Sequence, residues 1–296
     1  MVWRQKAFTL FASTVMALAP TWALAYGVLD LDTTSFFWAS QQRPTTVTTI
    51  QAGPRWKDDG KYVSTKVDFQ GVAFLEDRSS LTLKVNDLYL ASSPRLSDKH
   101  QGFLGRRHSA ISYADDLWSM GIWNPRFVWD PLRPELAGLT GAFYSYSRDY
   151  FQLNLFASPM AIPDMGYPIS VVNGDIRTSS PWFVPPPEAV FLGEAEVDLQ
   201  YEIAKPDAKS ILLRSGALAQ VKFGAAAQGP FAQAAYGYLP SNQADIAADV
   251  SLRARDLVLE TRLIPRFGWH HVSTVETGWR ENRWGIWVSG TRDTPK

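Results

Sequence analysis

The sequence predicts an all-β fold, specifically a transmembrane antiparallel up-and-down β-barrel of about 14 strands, with roughly 12–16 allowed. Three observations predict it. Apolar and polar residues alternate with a period of two over long runs. Several runs exceed the five or six residues of a soluble strand and match the ~9–11 needed to cross a bilayer. The connections between runs are alternately long and short. The composition agrees: 296 residues, 29 basic and 29 acidic side chains, 46% apolar residues and 12 tryptophans. Balanced charge argues against a nucleic-acid binder. The absence of cysteine excludes disulfides, thiolate metal sites and a cysteine nucleophile.

The first element read from the sequence is a leader. Arg4 and Lys6 precede a thirteen-residue apolar stretch, Ala7 to Ala19, and Ala23-Leu24-Ala25 forms an A-x-A cleavage site. Residues 1–25 are therefore expected to be a cleaved signal peptide, and residues 26–296 the barrel. The stretch is short of the ~20 residues of a spanning helix. No later segment reaches the length and apolarity of a helical span.

Strands are expected at 45–53, 62–75, 81–92, 105–113, 117–123, 138–147, 150–158, 191–204, 210–223, 231–239, 245–256, 257–264, 269–280 and 284–291. In 62–75, Val63, Thr65, Val67 and Phe69 oppose Ser64, Lys66, Asp68 and Gln70. The 81–92 run changes phase between Val85 and Leu88, which predicts a bulge. In 191–204 the alternation is cleanest: Ala195, Val197, Leu199, Tyr201 and Ile203 interleave with Glu194, Glu196, Asp198, Gln200 and Glu202. In 210–223, Arg214, Gln220 and Lys222 fall opposite the apolar set. The long connections are 54–61, 93–104, 124–137, 159–190 and 224–230, against short ones such as 148–149 and 265–268. Trp269, Trp279 and Trp284, with Tyr144, Tyr146, Tyr150, Tyr236 and Tyr238, sit near strand ends, where a membrane interface favours amphipathic rings. A soluble sandwich would need neither strands this long nor so many terminal aromatics.

Taken together, these residues resemble the bacterial outer-membrane β-barrel class, at a length similar to small monomeric porins. Leu104-Gly105-Arg106-Arg107, Trp118-Ser119-Met120-Gly121, Asp130 and Gly138-Leu139-Thr140-Gly141 resemble a "GR, W-x-x-G, D, G-x-x-G" run of several porin-like barrels. One departure stands out. Such barrels typically finish on an aromatic residue, whereas this chain ends Thr291-Arg292-Asp293-Thr294-Pro295-Lys296. Either a tail follows the last strand or the chain is a piece of a larger barrel.

The resemblance implies a channel of the cell outer membrane for passive diffusion of small hydrophilic solutes. Its partners would be outer-membrane lipid and those solutes, with no nucleic acid, cofactor or metal. The pore-lining candidates are Lys66, Asp68, Glu194, Glu196, Asp198, Glu202, Arg214, Lys222, Arg253, Arg255, Glu260 and Arg262. Facing acidic and basic walls would set ion preference, or pair across strands and fill the lumen. The 159–190 loop holds seven prolines. Its Trp182, Phe183, Pro185, Pro186 and Pro187 are candidates for a constriction, the alternative being a solvated external lid. Two further readings remain: a structural or surface-interaction barrel without through-flow, and an outer-membrane hydrolase. No G-x-S-x-G or H-E-x-x-H motif supports catalysis, and an enzyme is not expected.

Overall fold

The computed structural model describes residues 24–35, 46–74, 81–129, 133–167, 169–178, 180, 183–184, 186–205, 207–224, 228–255, 257–281 and 284–295. The first 23 residues of the expected leader lie outside this set, and Leu24 and Ala25 open the first strand. Of the described residues 67% are strand and 5% helix, so the all-β expectation holds.

Eleven strands form one continuous antiparallel sheet. In chain order they are β1 (Leu24–Ser35), β2 (Thr46–Asp59), β3 (Val63–Phe74), β4 (Thr82–Ser92), β5 (His100–Arg107), β8 (Leu139–Arg148), β9 (Phe151–Ser158), β15 (Gly216–Gly224), β16 (Gly229–Pro240), β19 (Trp269–Arg280) and β20 (Gly285–Pro295). Each pairs with the next in this series, so spatial order follows chain order. Among the described residues, β1 and β20 each have one neighbour.

The intervening segments build three smaller sheets. Strands β6 (Arg126–Val128), β7 (Glu135–Leu136) and β10 (Met165–Gly166) form one. Strands β11 (Ile169–Val172) and β12 (Asp175–Thr178) form a hairpin. Strands β13 (Ala189–Leu192), β14 (Ala195–Ile203), β17 (Asp245–Arg253) and β18 (Val258–Arg266) form the third, in which β14 and β18 run parallel. Helix α1 spans Tyr113–Trp118 and α2 spans Ala208–Leu212.

Several expected spans are corrected. The 105–113 strand lies earlier, at His100–Arg107. The 117–123 segment is not a strand, because Ser112 caps α1: its hydroxyl accepts from the backbone N–H of Asp115 at 3.2 Å. Strand 210–223 begins at Gly216, after α2. The spans 191–204, 245–256 and 257–264 are strands, but they lie in the small mixed sheet, outside the large one. Alternation reports a half-covered strand and carries no information about which sheet covers it. Here Val197 is buried while Glu196, Asp198, Gln200 and Glu202 are exposed.

The predicted bulge is present. The β3–β4 register runs from Asp68↔Asp87 to Phe69↔Val85, leaving Asn86 unpaired between them. Asp87 and Lys84 therefore both face inward, while Leu83, Leu88 and Leu90 face outward and are exposed. Strand β5 changes phase at Gly105, whose φ is +130°. A Cβ there would lie 2.3 Å from the Leu88 carbonyl oxygen. Only glycine fits, and the switch turns Arg106 to the buried side.

The two rims of the large sheet differ. On one rim the connections are short: 60–62, 93–99, 149–150, 225–228 and 281–284. The other rim carries 108–138, 159–215 and 241–268, which include every small strand and both helices. The expected asymmetry is real, but its membership changes: 54–61, 93–104 and 224–230 fall on the short rim.

The core lies between the inner sheet face and the 108–138 insert. Ile111 and Trp123 from the insert pack with Phe143, Phe156, Leu218, Ala235, Leu239 and Val272 from the wall. Trp123 is fully buried and its indole N–H donates to Thr274 Oγ1 at 3.0 Å. It fits because Gly237 has no side chain: a Cβ there would stand 2.9 Å from the Trp123 ring. Trp123→Ala is expected to cost about 3–5 kcal/mol, read as a lower urea midpoint; an unchanged midpoint would mean that the insert does not hold the wall.

Candidate functional site

The sheet has unusual polarity. Among the described residues, 17 polar or charged residues are buried against 14 apolar ones, so the interior is not an ordinary hydrophobic core. Outward positions are apolar and exposed, as at Leu83, Leu88, Leu104, Val275 and Val288.

The inner face of β2 to β4 is a charged ladder. Arg55 pairs with Asp68 at 2.7 Å, and Lys66 with Asp87 at 2.6 Å. Lys84 donates to Gln51 Oε1 at 2.9 Å and pairs with Glu135 of the insert. The backbone N–H of His108 donates to Asp87 Oδ1 at 3.1 Å, tying the insert to this wall a second time.

On the opposite wall the organising group is Glu276 of β19, which is fully buried. Its Oε1 accepts from Ser112 Oγ at 2.6 Å, Ser289 Oγ at 2.7 Å and the Ala114 N–H at 3.2 Å. Its Oε2 accepts from the Tyr113 N–H at 2.9 Å and from the Gln233 amide. Five donors, three from the insert and two from the flanking strands, thus converge on one carboxylate. A second buried carboxylate, Asp115, turns the insert back on itself by accepting from the N–H groups of Ile122 (2.9 Å) and Trp123 (3.1 Å). A third, Asp164, holds Arg126 at 3.0 Å and joins the insert to the 159–215 segment. Burial pushes the Asp115 carboxyl above its ordinary value; the Ile122 and Trp123 donors oppose the rise and neighbouring Asp116 adds to it.

Between the start of the insert and strands β8, β9 and β15 lies a cavity of about 310 Å³. Phe143, Phe156 and Leu218 line it together with Arg107, His108 and Lys222. Ser145, Gln152, Asn154 and Gln220 complete its polar wall. Lys222 Nζ donates to the Ala110 carbonyl at 2.9 Å, and Gln220 to the Ile111 carbonyl at 2.8 Å. His108 Nε2 lies 3.6 Å from Asp116.

The candidate residues read from sequence divide into two groups. Lys66, Asp68 and Lys222 stand on the inner face of the large sheet. Glu194, Glu196, Asp198, Glu202, Arg253, Arg255, Glu260 and Arg262 belong to the small mixed sheet or its turns. There Arg253 pairs with Glu260 at 2.7 Å, and Arg262 lies 3.8 Å from Glu202. Arg214 stacks over Trp269 at 4.5 Å. Trp182 and Pro185 lie outside the described residues. Phe183 and Pro186 are partly covered, and the Pro187 carbonyl accepts from the Tyr201 hydroxyl of β14 at 3.0 Å. The segment that crosses the inner face is 108–138. Glu276, Asp115, Arg107 and His108 were missed. The signal for Asp115 was present as Ser112-x-x-Asp115, a helix-start pattern. Glu276 shares a strand face with Thr274, Val272 and His270, and nothing local marks it.

No family model and no curated protein matches the chain. Among the described residues no cluster of three His, Cys, Asp or Glu could hold a metal ion.

Two outcomes follow from the buried carboxylates. Glu276→Gln places an amide donor among donors and is expected to cost about 2–3 kcal/mol, measured by urea unfolding; an unchanged midpoint would deny Glu276 its organising role. Between the ordinary carboxylate value and the raised Asp115 value, the folded chain holds a proton that the unfolded chain has released. Stability therefore falls as pH rises through that window. Asp115→Asn is expected to flatten this slope in midpoint-against-pH curves, and an identical slope would assign it to other groups.

Proposed function

We propose that the chain is a porin-like channel of the outer membrane, admitting small hydrophilic solutes by passive diffusion. The observation that carries this reading is the inverted polarity of the large sheet, with polar side chains on its buried face and exposed apolar ones on the other. A soluble sheet that size would cover its apolar face, whereas lipid is the solvent that accepts it. Two aromatic groups support the same orientation. Tyr236 and Tyr238 cluster with His271 near the rim of long insertions. Phe151, Phe223 and Tyr146 cluster near the short-turn rim, where Trp279 also stands. From the level of Tyr238 to that of Trp279 the strand covers about 27 Å, which at the tilt of such barrels is a height of about 19–22 Å, of the order of their ~25 Å apolar band.

Hydrocarbon does not tolerate unpaired backbone, so in this reading the β1 and β20 edges are paired in the membrane, with each other or with further strands. One observation favours a second reading, a structural barrel without through-flow: the 108–138 insert fills much of the inner face. Conductance separates the two. Reconstitution of the full chain in planar bilayers is expected to give discrete steps, together with a heat-modifiable band in outer-membrane fractions. Removing residues 112–129 is expected to raise unit conductance roughly threefold or more. A membrane-inserted chain that never conducts would replace the channel with the structural barrel, and a chain absent from the membrane fraction would sink both.

A further inference from the structure

The cavity beside Lys222 has an imbalance of donors over acceptors. Asn154 uses its carbonyl on Ser145 Oγ (2.8 Å) and Gln152 Nε2 (3.2 Å), and its amide on Gln220 Oε1 (2.8 Å). Gln220 in turn donates to the carbonyls of Ala110 and Ile111. The acceptors of the polar wall are thus largely consumed within it. The cations are not. The guanidinium carbon of Arg107 lies 3.7 Å from the centroid of the Phe103 ring, and the group makes no ion pair among the described residues. Lys222 spends one N–H on a carbonyl and likewise makes no ion pair among the described residues. Two carboxylates stand near the insert start: Asp116 faces His108, and Asp87 is engaged by Lys66 and the His108 N–H. Glu276 is already saturated by its five donors.

We infer that this cavity is a binding station for a small organic anion, a carboxylate of about three to six carbons. Three features select that class. Two basic side chains border a space with no carboxylate in its lining. The planar fork of Arg107 matches the paired oxygens of a carboxylate, with Lys222 as a second point charge. Phe143, Phe156 and Leu218 offer the carbon chain an apolar side that a bare halide would not use. The inference rests on the channel reading for access, since the anion would reach the cavity along the lumen. It gives that channel a preference for acids over neutral sugars.

The test is calorimetry on the full chain in detergent, with succinate, chloride and glucose as probes. Saturable succinate binding is expected, with glucose giving no heat and chloride competing only weakly. Arg107→Gln and Lys222→Met are each expected to weaken succinate about tenfold. Lys222→Arg keeps the charge and is expected to retain most of the affinity, which keeps the test decisive if the neutral variant does not fold. Absent succinate binding, equal binding of glucose, or binding indifferent to both Arg107→Gln and Lys222→Met would overturn the site. Bilayer recordings keep the two proposals apart. Conductance without succinate binding removes the anion station alone. Charge-dependent succinate binding without conductance removes the channel and leaves the station standing.

Discussion

The structure depends on a single buried carboxylate accepting from the insert and the wall together. An ionised group taken out of water is costly unless its oxygens are fully bonded. Glu276 meets that condition only when residues 112–114 are in place, because three of its five donors come from them. The other two, from Gln233 and Ser289, belong to the flanking strands. Withdrawing the insert would leave a buried charge with its bonds more than halved. The same dependence holds beside it, where Thr274 receives the Trp123 indole and also meets Thr291 at 2.9 Å. Wall and insert are therefore one cooperative unit.

That coupling explains how a sheet with a polar inner face stays ordered. The N-terminal strands satisfy much of their charge within the wall, Arg55 to Asp68 and Lys66 to Asp87, and take Glu135 of the insert for Lys84. The C-terminal strands do not have enough complementary groups, and they take theirs from the insert. The core formed by Trp123, Phe143 and Phe156 then sits between two polar regions instead of at the centre of a sandwich. Cavities remain on both sides of this core, one beside Arg107 and Lys222 and another between Tyr113 and strands β19 and β20.

What was legible in the sequence follows from the same physics. Phase within a strand was readable: Ser64, Asp68 and Gln70 are buried as the polar face of β3, and Gln220 as that of β15. The Asn86 bulge was readable because it reverses the alternation. Sheet membership was not. The cleanest alternating run, residues 195–203, folds into the small sheet, since covering one face against any neighbour imposes the same pattern. The 117–123 stretch of the insert reads as a strand because its apolar and aromatic residues mimic strand composition, while the Ser112–Asp115 cap that fixes its helix occupies only four positions. Glu276 was invisible for a different reason: its partners lie more than 160 residues away on the insert.

The rim asymmetry carries the last step. The 159–215 and 241–268 segments leave the same rim and join through the parallel β14–β18 pair. Arg126 of the insert bonds Asp164, whose backbone N–H donates to the carbonyl of Asn242 at 2.8 Å. The Asn242 amide in turn donates to the Gly121 carbonyl at 2.9 Å. Three connections far apart in sequence are thus closed into one ring of hydrogen bonds at one end of the sheet. Such a ring resists separate movement of any of the three. A solute passing between insert and wall would therefore meet a fixed opening, and its selection would rest on the side chains lining that opening.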